Sequence, residues 1–237
     1  MKKTDSRAML ALVGGAFFLL AYEYYGSTSF FRTNLYGLFP VRGRFVPIFP
    51  YIYWYTSTLL LLALIPLLSW KLMTGRPISG LGLSLGNWKQ GLIISAISIM
   101  VMLPIVTAAA QLPSFQHKYP LCSNAGSGPL EFLIYESAYM GYFFAWEFFF
   151  RGFMLFSLEE AIGGTYAVLV QTVPFALLHV GKPQPEAFAS IIAGVALGIL
   201  ALRTRSVLYC ALIHGMVALS MDIAALFAAG RLHHLMF

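Results

Sequence analysis

Charge is scarce in this sequence. Asp, Glu, Lys and Arg make up 10% of its 237 residues, against roughly 25% in an ordinary soluble domain. A water-facing globular surface is therefore excluded. Cysteine is scarcer still: Cys122 and Cys210 are far apart, one in a polar stretch and one in an apolar one, which argues against a disulfide framework. Tight His-x-x-x-His spacing is absent, and with it the most specific zinc signature. The Gly-rich segment 74–91 has neither the preceding strand nor the soluble helix that a dinucleotide-binding loop requires, and reads as an interfacial connector. No internal repeat is visible, whereas transporters are commonly built from repeated halves.

What is present is apolar. Hydrophobic residues are 59% of the chain and the mean hydropathy is +0.77. A spanning helix needs about 20 mostly apolar residues, and such windows fall near 8–26, 51–70, 91–112, 130–156, 164–181, 186–202 and 206–229. The expected fold is all-α, a polytopic transmembrane bundle of about seven spanning helices. It divides into N-terminal membrane helices with an interfacial segment (1–73) and a core (74–237), packed as one integral unit. Segment 27–50 is apolar but broken at Pro40, Pro47 and Pro50, so it is expected to lie at the interface or to re-enter. The charged start and the apolar run Ala8 to Tyr22 resemble a secretory signal, but no small-x-small cleavage site follows. A retained first helix ending in the belt Tyr22-Glu23-Tyr24-Tyr25 is the better reading.

The net charge of +6 comes from fifteen Lys and Arg set singly or in pairs between apolar stretches. That is membrane-flanking charge and not a nucleic-acid surface. Lys2, Lys3, Arg7, Lys71, Arg76, Lys89, Arg203 and Arg205 against Arg32, Arg42, Arg44, Lys118, Lys182 and Arg231 lean toward an inside N-terminus. The lipid bilayer is the first expected partner, and the bacterial cell (inner) membrane the expected location.

Ionisable groups at membrane depth cost several kcal/mol unless paired or facing a wet cavity, which makes each one a functional candidate. Of the nine acidic residues only Glu136, Glu147 and Asp222 read as deep; of the five histidines His179 and His214 do, His117, His233 and His234 being in loops or the tail. Glu147 and Arg151 are four apart, on one helical face. Alone, that pair reads equally well as a device that makes insertion tolerable. Two deep imidazoles on separate helices shift the balance, since a carboxylate and two imidazoles can together polarise a water molecule. Glu147, His179 and His214 are also usual zinc-ligand types, so a divalent metal stays open while no other cofactor is called for. Cys210, four before His214, reads as a core thiol.

These residues resemble the CPBP family, also called Abi or the CAAX protease and bacteriocin-processing family of intramembrane endopeptidases. The resemblance covers roughly 74–226. The family's first motif, two adjacent Glu, three variable residues and Arg, corresponds to Trp146-Glu147-Phe148-Phe149-Phe150-Arg151-Gly152. The second, Phe, three residues and His, corresponds to Phe175 through His179. The third, a His with Asn or Asp four on, corresponds to His214, with Ala218 at the fourth position. The connector Leu83 to Lys89 is similar to the family's lead-in, and among bacterial members the myxosortases are the narrower resemblance. Two departures stand out: Trp146 occupies the position of the first Glu, and Asp222, eight after His214, is left as the candidate polar partner.

The resemblance implies a hydrolase, an intramembrane glutamic-type protease that cleaves a membrane-anchored protein or peptide substrate. Glu147 with His179 would activate water, His214 would polarise it or stabilise the oxyanion, and Arg151 would hold Glu147. The competing expectations are a catalytically inactive relative that binds or assists membrane helices, and a small proton-relay transporter.

Overall fold

The computed structural model describes residues 6–38 and 43–232; Lys2, Lys3, Pro40, Arg42, His233 and His234 lie outside the described residues. Among the described residues every regular element is helical. Seven long helices run in chain order: α1 (Ser6–Tyr25), α2 (Phe49–Thr74), α3 (Trp88–Ala109), α4 (129–162), α5 (Gly164–Leu177), α6 (Gln184–Thr204) and α7 (Leu208–Ala228). All but α4 and α5 are long and apolar enough by themselves to cross a membrane. In α4 the deficit is hydropathy, lowered by Glu131, Glu136, Glu147 and Arg151; in α5 it is length, 14 residues. The seven apolar windows thus correspond to the seven long helices.

Local signals set the ends. Gly75 takes a left-handed φ of 66° and closes α2 two residues before Pro77. The Asn87 side chain accepts from the Gln90 backbone N–H at 3.3 Å and opens α3. Pro129 and Pro185 sit in the first turns of α4 and α6, where a missing N–H is harmless.

Contacts between the ends define two edges. At one, Arg7 and Arg76 meet Glu160, Arg205 meets Glu159, and Asn87 N–H donates to Thr204 O at 2.8 Å. At the other, Arg44 meets Glu131, Lys118 donates to Gly181 O, and Arg231 donates to Ser123 O. Successive long helices therefore alternate in direction.

The helix α4 is the axis of the bundle. Every residue from Phe148 to Leu158 is buried, as a helix surface that is apolar nearly all round requires, Arg151 and Ser157 being its polar exceptions. By contrast α3 exposes Leu92, Ile93, Ile97, Met100, Val101 and Ile105, a surface that suits hydrocarbon and not water. Within α4 the backbone widens to a π-helix over Phe148–Leu155, directly after Glu147. Such widenings re-aim the side chains that follow and recur at functional sites.

Candidate functional site

Glu147 occupies the last α-helical position of α4 before the π-helical stretch, and Arg151 lies within it. Both side chains are fully buried, with Arg151 Nη1 3.1 Å from Glu147 Oε2 and 3.3 Å from Oε1. The guanidinium lies over the Phe175 ring of α5 at 4.1 Å, a contact that a desolvated cation makes favourably. An isolated buried charge would be prohibitive, so each of the two makes the other tolerable. Arg151 Nε and Nη2 find no acceptor among the described residues.

From α7, His214 brings its Nδ1 to 2.6 Å from Glu147 Oε1. Because a carboxylate beside a guanidinium accepts and does not donate, Nδ1 carries the hydrogen in this pair. That assignment leaves Nε2 as the remaining reactive nitrogen. The imidazole rests on Phe143 at 4.5 Å, and its side chain keeps 20% of its surface exposed.

His179 follows the end of α5. At 1.5 Å per residue the 14 residues of α5 cover about 21 Å, so the helix stops short of a bilayer's width. His179 Nδ1 lies 2.7 Å from Phe175 O, a carbonyl of the kind that a helix end leaves without a partner. Here too Nδ1 is the donor and Nε2 is left over. The Phe175 ring contacts both imidazoles, with centroids 4.7 Å from His179 and 6.0 Å from His214. Glu147, Arg151 and His214 are thus in direct contact, and His179 shares their aromatic wall without its own hydrogen bond to Glu147 among the described residues.

One helical step of about 100° separates Trp146 from Glu147 and turns it elsewhere. Its ring lies 6.4 Å from His179 and stacks on Tyr142 at 5.4 Å, and it is buried. Position 146 therefore faces His179, and position 147 faces His214.

Asp222 does not join His214. It is buried, as is Glu136 of α4, and none of the four carboxyl oxygens has a hydrogen-bond partner among the described residues. The sequence carried a signal for this pair. Glu136 lies eleven residues before Glu147 and Asp222 eight after His214, so in antiparallel helices they lie about 16 Å and about 12 Å along from the Glu147–His214 contact, on the same side.

Cys210 Sγ donates to Leu197 O at 3.3 Å and is a core thiol. Among the described residues no three His, Cys, Asp or Glu side chains are grouped so as to hold a metal ion.

The turn after His179 is tied to the short helix Pro113–Lys118 and its next residue: Lys182 Nζ donates to Tyr119 Oη at 2.7 Å, and that hydroxyl donates to Glu186 at 2.6 Å. Burial pulls the Lys182 ammonium below its usual range, and neighbouring Glu186 opposes this. Burial pushes the Tyr119 phenol up, and Glu186 adds to it.

Residues 128–220 match the family described as Type II CAAX prenyl endopeptidase Rce1-like, a stretch that holds Glu147, Arg151, His179 and His214. No curated protein and no solved structure matches the chain.

Proposed function

We propose that this chain, which belongs to the CPBP (CAAX protease) family through residues 128–220, is an intramembrane endopeptidase. It would cleave a peptide bond in or near a membrane segment of a membrane-anchored protein. The observation that carries the reading is the 2.6 Å contact between Glu147 Oε1 and His214 Nδ1, with Arg151 donating to the same oxygen at 3.3 Å and lying 3.1 Å from the other.

A carboxylate fixed on one imidazole nitrogen makes the other a better proton acceptor and stabilises the imidazolium once it forms. In this reading His214 Nε2 takes a proton from water as the oxygen attacks the peptide carbonyl, and returns it to the leaving amine. His179 Nε2 accepts the water's second hydrogen and so aims its lone pair. Arg151 keeps Glu147 ionised and offsets the charge that develops on the carbonyl oxygen. Relative to the expectation drawn from sequence, the role of Glu147 passes through His214 instead of His179.

A second reading rests on Trp146. An indole, which cannot act as a base, occupies the position that faces His179, where the family carries its first Glu. A relative that binds membrane helices without cleaving them would look the same at that position.

The test is to reconstitute the purified chain in lipid vesicles with solubilised membrane protein from a strain lacking it, and to sequence new termini by mass spectrometry. The enzyme reading expects termini that disappear with Glu147→Gln and with His179→Ala. Termini of equal yield in both variants contradict the mechanism, and their absence with the wild-type chain favours the second reading.

A further inference from the structure

The bundle edge that carries Arg7, Arg76 and Arg205 also holds a cavity of about 450 Å³. Its lining is Trp70 from the end of α2, Arg76 from the connector beyond, Phe156, Glu159 and Glu160 from the end of α4, and Arg205 from the turn between α6 and α7. Trp70 is 4% exposed, and its indole N–H has no acceptor among the described residues. A buried donor left without a partner is an unmade hydrogen bond, one that a ligand can complete by entering past the ring, since the nitrogen itself is closed to solvent.

The charged groups of the wall are fixed. Arg76 Nη1 meets Glu160 at 2.8 Å, and Arg205 Nη1 meets Glu159 at 2.7 Å while its guanidinium lies over Phe156 at 4.7 Å. Each guanidinium has further N–H hydrogens, and each carboxylate has further lone pairs, for a second partner. Arg7 also meets Glu160 from outside the cavity, but the lining itself sets Arg76 and Arg205 against Glu159 and Glu160 and is balanced in charge. It matches a group that brings both signs.

The geometry points to a binding site for a group that carries phosphate and a primary ammonium together, the phosphoethanolamine headgroup. The phosphate takes the Trp70 indole N–H and the free hydrogens of Arg76 and Arg205, and the ammonium donates to Glu159 and Glu160. A quaternary ammonium has no N–H for that second step. The bilayer is the natural source, because the site lies where the spanning helices end, at headgroup level, and Trp is favoured there. Leu68, Leu72 and Met73 are exposed on the same end of α2 and give acyl chains an apolar surface.

Native mass spectrometry of the full chain in detergent, titrated with dioleoyl phosphatidylethanolamine, phosphatidylcholine or phosphatidylglycerol, tests the site. Phosphatidylethanolamine should be retained about tenfold more strongly than the other two, as expected when two or three charge-assisted hydrogen bonds distinguish ligands. Trp70→Phe, which removes the N–H together with the pyrrole ring, should weaken that retention about fivefold, and Arg205→Gln about tenfold, the latter with an unchanged melting temperature in lipid-free detergent. Free O-phosphoethanolamine separates the sources: competition at equal concentration assigns the soluble group, and no competition assigns the lipid, the site standing in either case. Equal retention of the three lipids, or full retention in both variants, overturns the proposal.

Discussion

Glu147 on α4 and His214 on α7 are 67 positions apart in the chain, yet their side chains are hydrogen-bonded at 2.6 Å, and Arg151 closes the group from the next turn of α4. The contact ties the axial helix to the last long one. Removing the Arg151 cation while leaving the Glu147 anion buried should therefore destabilise the chain strongly. Arg151→Met is expected to cost about 3 kcal/mol or more, read as a lowered melting temperature in detergent. The double variant Glu147→Gln/Arg151→Met should recover part of that loss. Additive losses would show that the two charges do not compensate each other.

Gly86 carries the tightest backbone approach in the connector before α3. Its φ is +49°, and a Cβ there would lie 1.9 Å from Thr204 O. The same connector is held by Asn87 N–H on Thr204 O and by Val207 N–H on Gly82 O at 3.0 Å. Gly86→Ala is expected to cost about 2 kcal/mol or more, through both the positive φ and the collision. Gly80→Ala, where a Cβ would meet nothing within 4 Å, should leave the melting temperature close to that of the wild-type chain.

The Glu136–Asp222 pair predicts a spectroscopic signature. Two carboxyl groups buried with no donor on any oxygen are expected to keep at least one proton, which gives an infrared C=O band of a protonated acid at neutral pH. Asp222→Asn should remove that band, because the amide can donate to an ionised Glu136 and no proton needs to be kept. An unchanged band in both Asp222→Asn and Glu136→Gln would place the protonated acid elsewhere.

Trp146 separates the two functional readings. If Glu147 and His214 carry out the chemistry, Trp146→Phe should keep cleavage within about threefold of wild type, since packing on Tyr142 and His179 is retained. If the indole is what silences the site, the wild-type chain should be inactive and Trp146→Glu should gain cleavage. Both variants are read in the same vesicle assay by mass spectrometry of new termini.

Much of this was legible in the sequence because so few polar residues interrupt it. Apolar length gave the seven helices, and helical spacing gave Glu147 with Arg151. The partnering of His214 with Glu147 was not legible, since it depends on the register between α4 and α7, which neither helix encodes alone. The Asp222–Glu136 pair follows from the same register and becomes readable only once α4 and α7 are known to run antiparallel. The π-helical stretch at Phe148–Leu155 leaves no signature in residue type, and the early end of α5, which presents His179, was hidden inside an apolar window that continued through the turn. The cavity beside Trp70 needed the ends of three helices brought to one edge.

The most direct measurement is the rate of peptide-bond cleavage by the reconstituted chain against His214→Ala and Glu147→Gln, with the melting temperature of each recorded alongside. The account predicts that both variants stay folded and that each lowers the rate by about 10² to 10⁴, the usual range for losing a positioned acid–base group or its support. Wild-type rates in a folded His214→Ala protein would contradict it.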